Sequence, residues 1–430
     1  MSSMGGNPTA SPPGSDSFLD DEFPKVAAMG PCTSPSWSDL PIDVLLSILQ
    51  RLELPQALAF ASVCTTWRSA ATANGIPRSS TPLLMSWADL VEERKEAHGG
   101  RTSPVTCNFY HLLDVDKAYS VSFPQGCFVA CCGASHGWLV LVNELSNLVL
   151  YNPFTTAMIP LPPITDFACV KAVYGSGGKL DHYLFERDRV HGTNSLGTWF
   201  YQKAVLSCCP SKGGDYVVMI IHRDSDWLSF VKAGQNKWQV ASTLPVSGRD
   251  RYADCTYHDG RFFAVTFHGM VEKWDLDELN GPTREIVVAA RRPGRILTRH
   301  LVSTAWGDLL HVGAIFAPEY PDGVKFQIRK VDSVGCKKVL QTDLMDHAMF
   351  LGLNHSACLP TKSFPGLQPH CIYFSAPWMT ETFDWLCRVS HGWGGVRTYD
   401  LKSRKFERAF PFCDQKGLIS PCEVWITPNL

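Results

Sequence analysis

The spacing of apolar residues changes once along this chain. In WSDLPIDVLLSILQRLELPQALAFASVCTTWRSAA (37–71), Leu45, Ile48, Leu49 and Leu52 recur at helical intervals. Ser38 and Asp39 are suited to cap, and Pro41 to the first helical turn. The pattern predicts a first helix ending near Leu52 and a short second helix opened by Pro55 with Leu58, Ala59 and Phe60. A third follows from Val63 to Ala71, with Val63, Trp67 and Ala70 on one face. Ile42, Val44, Leu45, Leu46, Ile48 and Leu49 leave the first helix apolar nearly all round, which demands two buried faces. A unit of about 40 residues does not cover both by itself, so the rest of the chain or another protein must cover the second.

Beyond about residue 105 the helical period gives way to short β-rich runs bounded by Gly, Asn, Asp and Pro, such as GWLVLVN (137–143), YVVMIIH (216–222), RFFAVTF (261–267) and DLLHVGAIF (308–316). A strand followed by a polar turn recurs as LVLYNPFT, VEKWDLDE, QIRKVDSV and VRTYDLKS, with a fainter copy in SFVKAGQNKWQV. The copies start at 148, 229, 271, 327 and 396, at intervals of 81, 42, 56 and 69 residues. Repeated four-stranded sheets set radially make a β-propeller, and at ~50–55 residues per blade this stretch holds about six. The unequal intervals keep a pair of β-sandwiches as the alternative. The fold class is therefore multidomain, an N-terminal three-helix unit followed by an all-β propeller. Its divisions are a tail (1–36), the helical unit (37–72), a connector (73–104) and the propeller (105–430). Within the connector, Pro82 to Met85 reads as a first strand and Trp87 to Ala97 as a short amphipathic helix with Leu90 and Val91 on its apolar side.

Composition narrows the function classes. The tail holds six Pro, four Gly and seven Ser, and cannot bury enough surface to offset chain entropy. Lys plus Arg number 39 against 41 Asp plus Glu, which disfavours a polycation for nucleic acid or anionic membranes. No run approaches the ~18 apolar residues of a membrane span, and no basic-then-apolar leader opens the chain. The 16 Cys include no Cys-x-x-Cys, and the His residues are not at zinc spacing. Reduced, buried thiols, no metal and no cofactor are expected.

The Leu40-Pro41 start, the aliphatic helix, the Pro-led short helix and the ending Val63-Cys64-x-x-Trp67-Arg68 resemble an F-box, the module by which substrate receptors dock on the Skp adaptor of a Skp-cullin-F-box ubiquitin ligase. GASHGWLVLVNELSNLVLYNPFTTAMIPLPP (133–163), FLGLNHS (350–356), FPGLQPHCIYF (364–374) and EVWITPNL (423–430) resemble the propeller that follows F-boxes in a large plant family. That domain is domain of unknown function 295, the KIB-type β-propeller, and the resemblance begins near residue 82. It departs in the loops at 175–178 and 375–393. The resemblance implies a substrate-recognition subunit, acting in the nucleus or the cytoplasm, that does no chemistry itself. Leu40, Pro41, Val44, Leu45, Ile48, Leu49, Val63, Cys64 and Trp67 would meet the adaptor, and through it a cullin. Trp378, Trp385 and Trp393, in a loop-rich segment, are candidate anchors for a target protein.

Other candidate chemistry has a plainer explanation. Gly133 to Gly137 fits G-x-S-x-G, but a strand follows where a nucleophile elbow needs a helix. Gly175 to Lys179 lacks the Gly and the Ser or Thr of a phosphate loop, with Val173 and Leu180 in their places. Arg284, Arg291, Arg292, Arg295 and Arg299 form a basic stretch without aromatic residues, read as a solvated inter-blade loop, with a patch for an acidic protein partner as the alternative. Asp181, Glu186, Asp188, Asp224 and Asp226 could supply acid/base pairs, but are read as turn and loop residues. Trp138, Trp238, Trp274 and Trp306 read as blade packing. Two further readings remain: a propeller enzyme or glycan-binding module with a carboxylate-lined central pocket, and an F-box scaffold that recruits no cullin.

Overall fold

The structure, a computed structural model, describes residues 36–52, 54–73, 82–86, 106–112, 114–122, 128–245, 247, 250–277, 281–290, 296–320, 323–332, 335–338, 344, 346–364, 367–375, 396–408 and 423–427. The tail up to residue 35, the helix expected at 87–97 and Trp378, Trp385 and Trp393 lie outside them.

Contacts divide the chain into two units, Met1–Pro41 and Ile42–Leu430. In the first, Ser36 Oγ accepts from the Ser38 amide at 3.3 Å, and Asp39 accepts from the Ser36 amide at 3.2 Å. The reciprocal pair closes a 3-10 turn over Trp37–Asp39, so the cap is Ser36, with Asp39 returning the bond.

The second unit opens with α1 (Ile42–Leu49), α2 (Leu54–Ser62) and α3 (Thr65–Ala73). Leu45 and Leu49, four apart on α1, are buried, as are Ala57, Phe60, Ala70 and Ala71. α3 packs on both other helices. The Phe60 and Trp67 rings stand 4.3 Å apart between centroids.

The strands follow. β1 (Leu83–Ser86), β2 (Thr106–His111) and β3 (Asp114–Ser122) come first. Blade I is β4 (Phe128–Ser135), β5 (Trp138–Asn143), β6 (Leu148–Tyr151) and β7 (Met158–Pro160). A side sheet of β8 (Val170–Tyr174), β9 (Leu180–Phe185) and β10 (Arg189–Gly192) intervenes. Blade II is β11 (Tyr201–Leu206), β12 (Val217–His222), β13 (Trp227–Lys232) and β14 (Gln239–Thr243). Blade III is β15 (Tyr252–His258), β16 (Arg261–Thr266), β17 (Val271–Asp275) and β18 (Thr283–Val288). Blade IV is β19 (Ile296–Thr304), β20 (Leu309–Phe316), β21 (Val324–Asp332) and β22 (Gly335–Lys338). Blade V holds β23 (His347–Leu351), β24 (Ala357–Pro360), β25 (Cys371–Phe374), β26 (Arg397–Asp400) and β27 (Lys405–Arg408). Last, β28 (Glu423–Ile426) pairs antiparallel with β1, Leu83 opposite Ile426 and Ser86 opposite Glu423, and completes blade VI with β2 and β3. Leu83–Ser86, inside the stretch read as connector, is thus a strand of the closing blade.

Six apolar clusters lie between successive blades, I to II, II to III, III to IV, IV to V, V to VI and VI to I, and so the ring closes. The period of two explains why the strands read as unbroken apolar runs. On β5, Trp138, Val140 and Val142 face blade II while Leu139 and Leu141 face blade VI. On β12, Val218 and Ile220 face blade I, and Met219 and Ile221 face blade III. Each such side chain, fully buried, contributes about 1.5–3 kcal/mol, so one strand stabilises two interfaces at once.

Candidate functional site

Two places in the second unit invite a functional reading, the helices and the axis of the ring. On the helices, Leu45 and Leu49 are buried, Ile48, Cys64 and Trp67 half-buried, and Val44 (39%), Ile42 (56%) and Val63 (56%) exposed. Leu45 and Leu49 therefore support the exposed face from beneath and do not form it. In the first unit Leu40 is half-buried and Pro41 exposed.

At the axis, residues 352–356, between β23 and β24, reach from blade V to the inner strands of three other blades. The His355 amide donates to the Ala134 carbonyl of blade I at 2.7 Å. Lys203 of blade II donates to the Gly352 and Asn354 carbonyls at 2.8 and 2.9 Å. His355 Nε2 meets Thr256 Oγ1 of blade III at 2.8 Å. The segment lies across the axis as a strap, and β24 beyond it pairs parallel with β19, joining blades IV and V in one sheet.

The strap is held by a buried ion pair, Lys203 Nζ to Asp254 Oδ1 at 2.7 Å, with both side chains at most 5% exposed. Asp254 also accepts from the Cys255 amide (2.9 Å) and the Leu301 amide (2.9 Å). Burial alone would raise its carboxyl, but the Lys203 ammonium and the neighbouring His300 outweigh burial and hold it below the ordinary value. Burial, with His136 and Lys203 nearby, lowers His355 to about 4, so the imidazole is neutral. The axis is thus a polar clasp occupied by the chain's own backbone and a buried ion pair, within which Asn354 Oδ1 and Ser356 Oγ are buried without a hydrogen-bond partner.

The remaining sequence candidates resolve into structural roles. Ser135 ends a buried strand, its Oγ at 3.4 Å from the Leu206 amide, and His136 and Gly137 turn directly into β5. A Cβ at Gly133 would overlap the Ala204 carbonyl, so the first Gly of that motif serves the close approach of β4 to β11. Gly175 to Lys179 is the loop between β8 and β9. Glu186 and Asp226 do come together, but around one guanidinium: Arg223 Nε bonds Glu186, and its Nη1 bonds Asp226 at 2.7 Å. One cation shared between two carboxylates makes a clamp, unlike the free acid and base of a glycosidase. Asp181 pairs with His182 at 2.8 Å, and Asp188 and Asp224 sit exposed at left-handed turn positions.

The basic stretch differs from the solvated loop expected of it. Arg284 lies on β18 and bonds Glu272 at 3.2 Å; Arg299 lies on β19 and donates to the Phe267 carbonyl at 2.8 Å. Arg291, Arg292 and Arg295 lie outside the described residues. Trp138, Trp238 and Trp274 are buried, whereas Trp306 is 42% exposed in the turn before β20, its Nε1 donating to Asp308 at 3.0 Å. Cys131 is buried, which pushes its thiol up to about 12. Among the described residues no cluster of His, Cys, Asp and Glu is placed to hold a metal.

Residues 109–400 match the KIB1-4 beta-propeller family, and residues 37–78 match the F-box domain. This chain is an F-box protein of the KIB1-4 beta-propeller family. Its relatives in Arabidopsis thaliana include the putative F-box protein At4g22660, 31% identical over 424 residues, covering 92% of this chain and 97% of that one. The probable F-box protein At4g22165 is 25% identical, over 92% of this chain and 97% of its own length. F-box protein SKIP23 is 26% identical, over 91% and 96%. F-box domains bind Skp-type adaptors, which gives the exposed helical face of this F-box protein a general purpose. In the sequence the FLGLNHS run carries only the family resemblance. Its role as a strap depends on contacts 99 to 221 residues apart, for which a single sequence carries no signal.

Proposed function

We propose that this F-box protein is the substrate-recognition subunit of a Skp-cullin-F-box E3 ubiquitin ligase. The observation that carries the reading is the helical module, whose Ile42, Val44 and Val63 stay exposed although the chain has a large apolar interior in which to bury them. An apolar helical face left bare on a folded chain is the form of a helix-docking interface. Val44 and Val63 would touch the adaptor, with Leu45, Ile48, Leu49, Cys64 and Trp67 shaping the surface from beneath or beside, and Leu40 and Pro41 contributing from the first unit. The propeller would hold a target protein near the charged ubiquitin-conjugating enzyme, raising the effective concentration of its lysines. Trp378, Trp385 and Trp393 are proposed target anchors, and the nucleus or the cytoplasm the place of action.

Co-expression with a plant Skp adaptor and size exclusion tests this. Wild type is expected to co-elute as a stoichiometric complex with the adaptor, and with a cullin once that is added, and the Leu40→Ala/Pro41→Ala double variant to lose both. A wild-type chain that runs alone beside the adaptor removes the proposal; one that binds adaptor without cullin is a scaffold.

A further inference from the structure

The side sheet β8–β10 is surplus to the ring, which closes through six blades without it. One face is anchored: Val170, Tyr183 and Phe185 join the cluster between blades I and II. Cross-strand register puts Lys171, Leu184 and Val190 together on the other face, with Val173 and His182 beside them. There Val190 is 68% exposed, Val173 and Leu184 are half-buried, and Tyr174 at the end of β8 is 64% exposed. β10 is the outer strand, and among the described residues no strand pairs with its far edge.

That edge is held firmly. Glu186, Arg187 and Asp188, which turn β9 into β10, all have positive φ (34°, 36° and 60°), a costly backbone for side-chain-bearing residues. The Arg223 bridge to Glu186 ties this turn to blade II. Its charge also leans basic. Glu186 is paired with Arg223, and Asp181 is hydrogen-bonded to His182. Lys171, Lys179, Arg187 and Arg189 are exposed and make no ion pair among the described residues, with Asp181 and Asp188 as their exposed acidic neighbours. Arg189 shares its side of the sheet with Phe185, opposite the side that carries Val190.

We propose that β10 is a docking edge for an extended segment of a protein partner whose residues alternate between aliphatic and acidic. Such a segment continues the sheet through backbone hydrogen bonds. Its aliphatic side chains extend the Val173, Leu184 and Val190 face, and its acidic ones fall on the other side, beside Arg189 and the Arg187 turn. That the partner is the ligase target rests on the proposed function; the docking itself does not.

The probe is a ten-residue synthetic peptide alternating Val and Glu. Its binding to the full chain in complex with a Skp adaptor is read by fluorescence anisotropy, beside a Val/Lys peptide and a Val/Glu peptide N-methylated at alternate residues. The Val/Glu peptide is expected to bind, the N-methylated form to lose binding, and amides of 189–192 to gain protection from hydrogen exchange. In Arg187→Glu/Arg189→Glu, both at exposed positions, Val/Glu affinity should fall by about tenfold and preference should pass to Val/Lys. No binding, equal binding of both charge patterns, or a double variant that keeps the Val/Glu preference overturns the proposal. Adaptor co-elution is scored separately, so failure there sinks the receptor reading and leaves the docking edge to its own result.

Discussion

The helices and the ring answer the same demand in opposite ways. On β5, Leu139 to Val142 are fully buried because each face of the strand meets a neighbouring blade. On α1, Leu45 and Leu49 are buried while Ile42 and Val44, equally apolar, are exposed. The ring covers both apolar faces of such strands within the chain, whereas the helical module leaves Ile42, Val44 and Val63 bare. Similar apolar content therefore predicts burial only where topology supplies a partner on both sides.

The largest effect that should sharpen this contrast is at the clasp. Lys203→Met leaves Asp254 buried without its cation, and the ring is expected to lose about 3–5 kcal/mol in denaturant unfolding. Lys203→Met/Asp254→Leu should recover much of that loss. Equal losses in the two variants would show that the strap depends on packing and not on the ion pair.

Acid is the next lever. Burial lowers His222 to about 3, with Arg223 adding to it, and His355 to about 4. Both stay neutral in the fold while the unfolded chain takes up protons below about pH 6.5, so the unfolded state binds more protons across that window. Stability should therefore fall as pH drops from about 6.5 towards 4, by on the order of 3 kcal/mol for each histidine. Asp254, held below the usual carboxylate value, keeps its contribution until pH falls past 3.8 towards its lowered folded value. Unfolding midpoints at pH 8, 6, 5 and 4.5 check the window; a flat profile would mean that neither imidazole is buried as described.

The smallest change in stability falls on the helices. Val44→Asp alters an exposed position and should move the unfolding midpoint by less than about 0.5 kcal/mol. It should nonetheless abolish adaptor co-elution. A large loss of stability would mean that Val44 is covered by its own chain and that the contrast is false.

Much of the ring was legible because its signal is local. The copies starting at 148, 271 and 327, and the fainter one at 229, fall on β6, β17, β21 and β13, the third strands of blades I, III, IV and II, and the copy at 396 falls at β26. Their unequal spacing also has a cause. The 81-residue interval contains the side sheet, and the 69-residue interval contains the strap with its hairpin β23 and β24. Neither insertion was legible, since both are defined by what they pack against. Likewise Glu186 and Asp226 were candidates by residue type, while the Arg223 that joins them was not singled out, because the pairing exists only between two turns brought together by the fold. The exposed face of α1 was legible as an excess of apolar residues, but which of them would be outermost was not.

The closing strand sets an order of events in synthesis. Among the described residues β28 follows every other strand, and residues 74–422 separate it from α3. At ~5–20 residues per second a ribosome needs roughly 20 to 70 s to cover that distance. Throughout that interval the clusters on either side of blade VI lack Val424, Trp425 and Ile426. The helical segment therefore leaves the ribosome well before the strand that completes the ring.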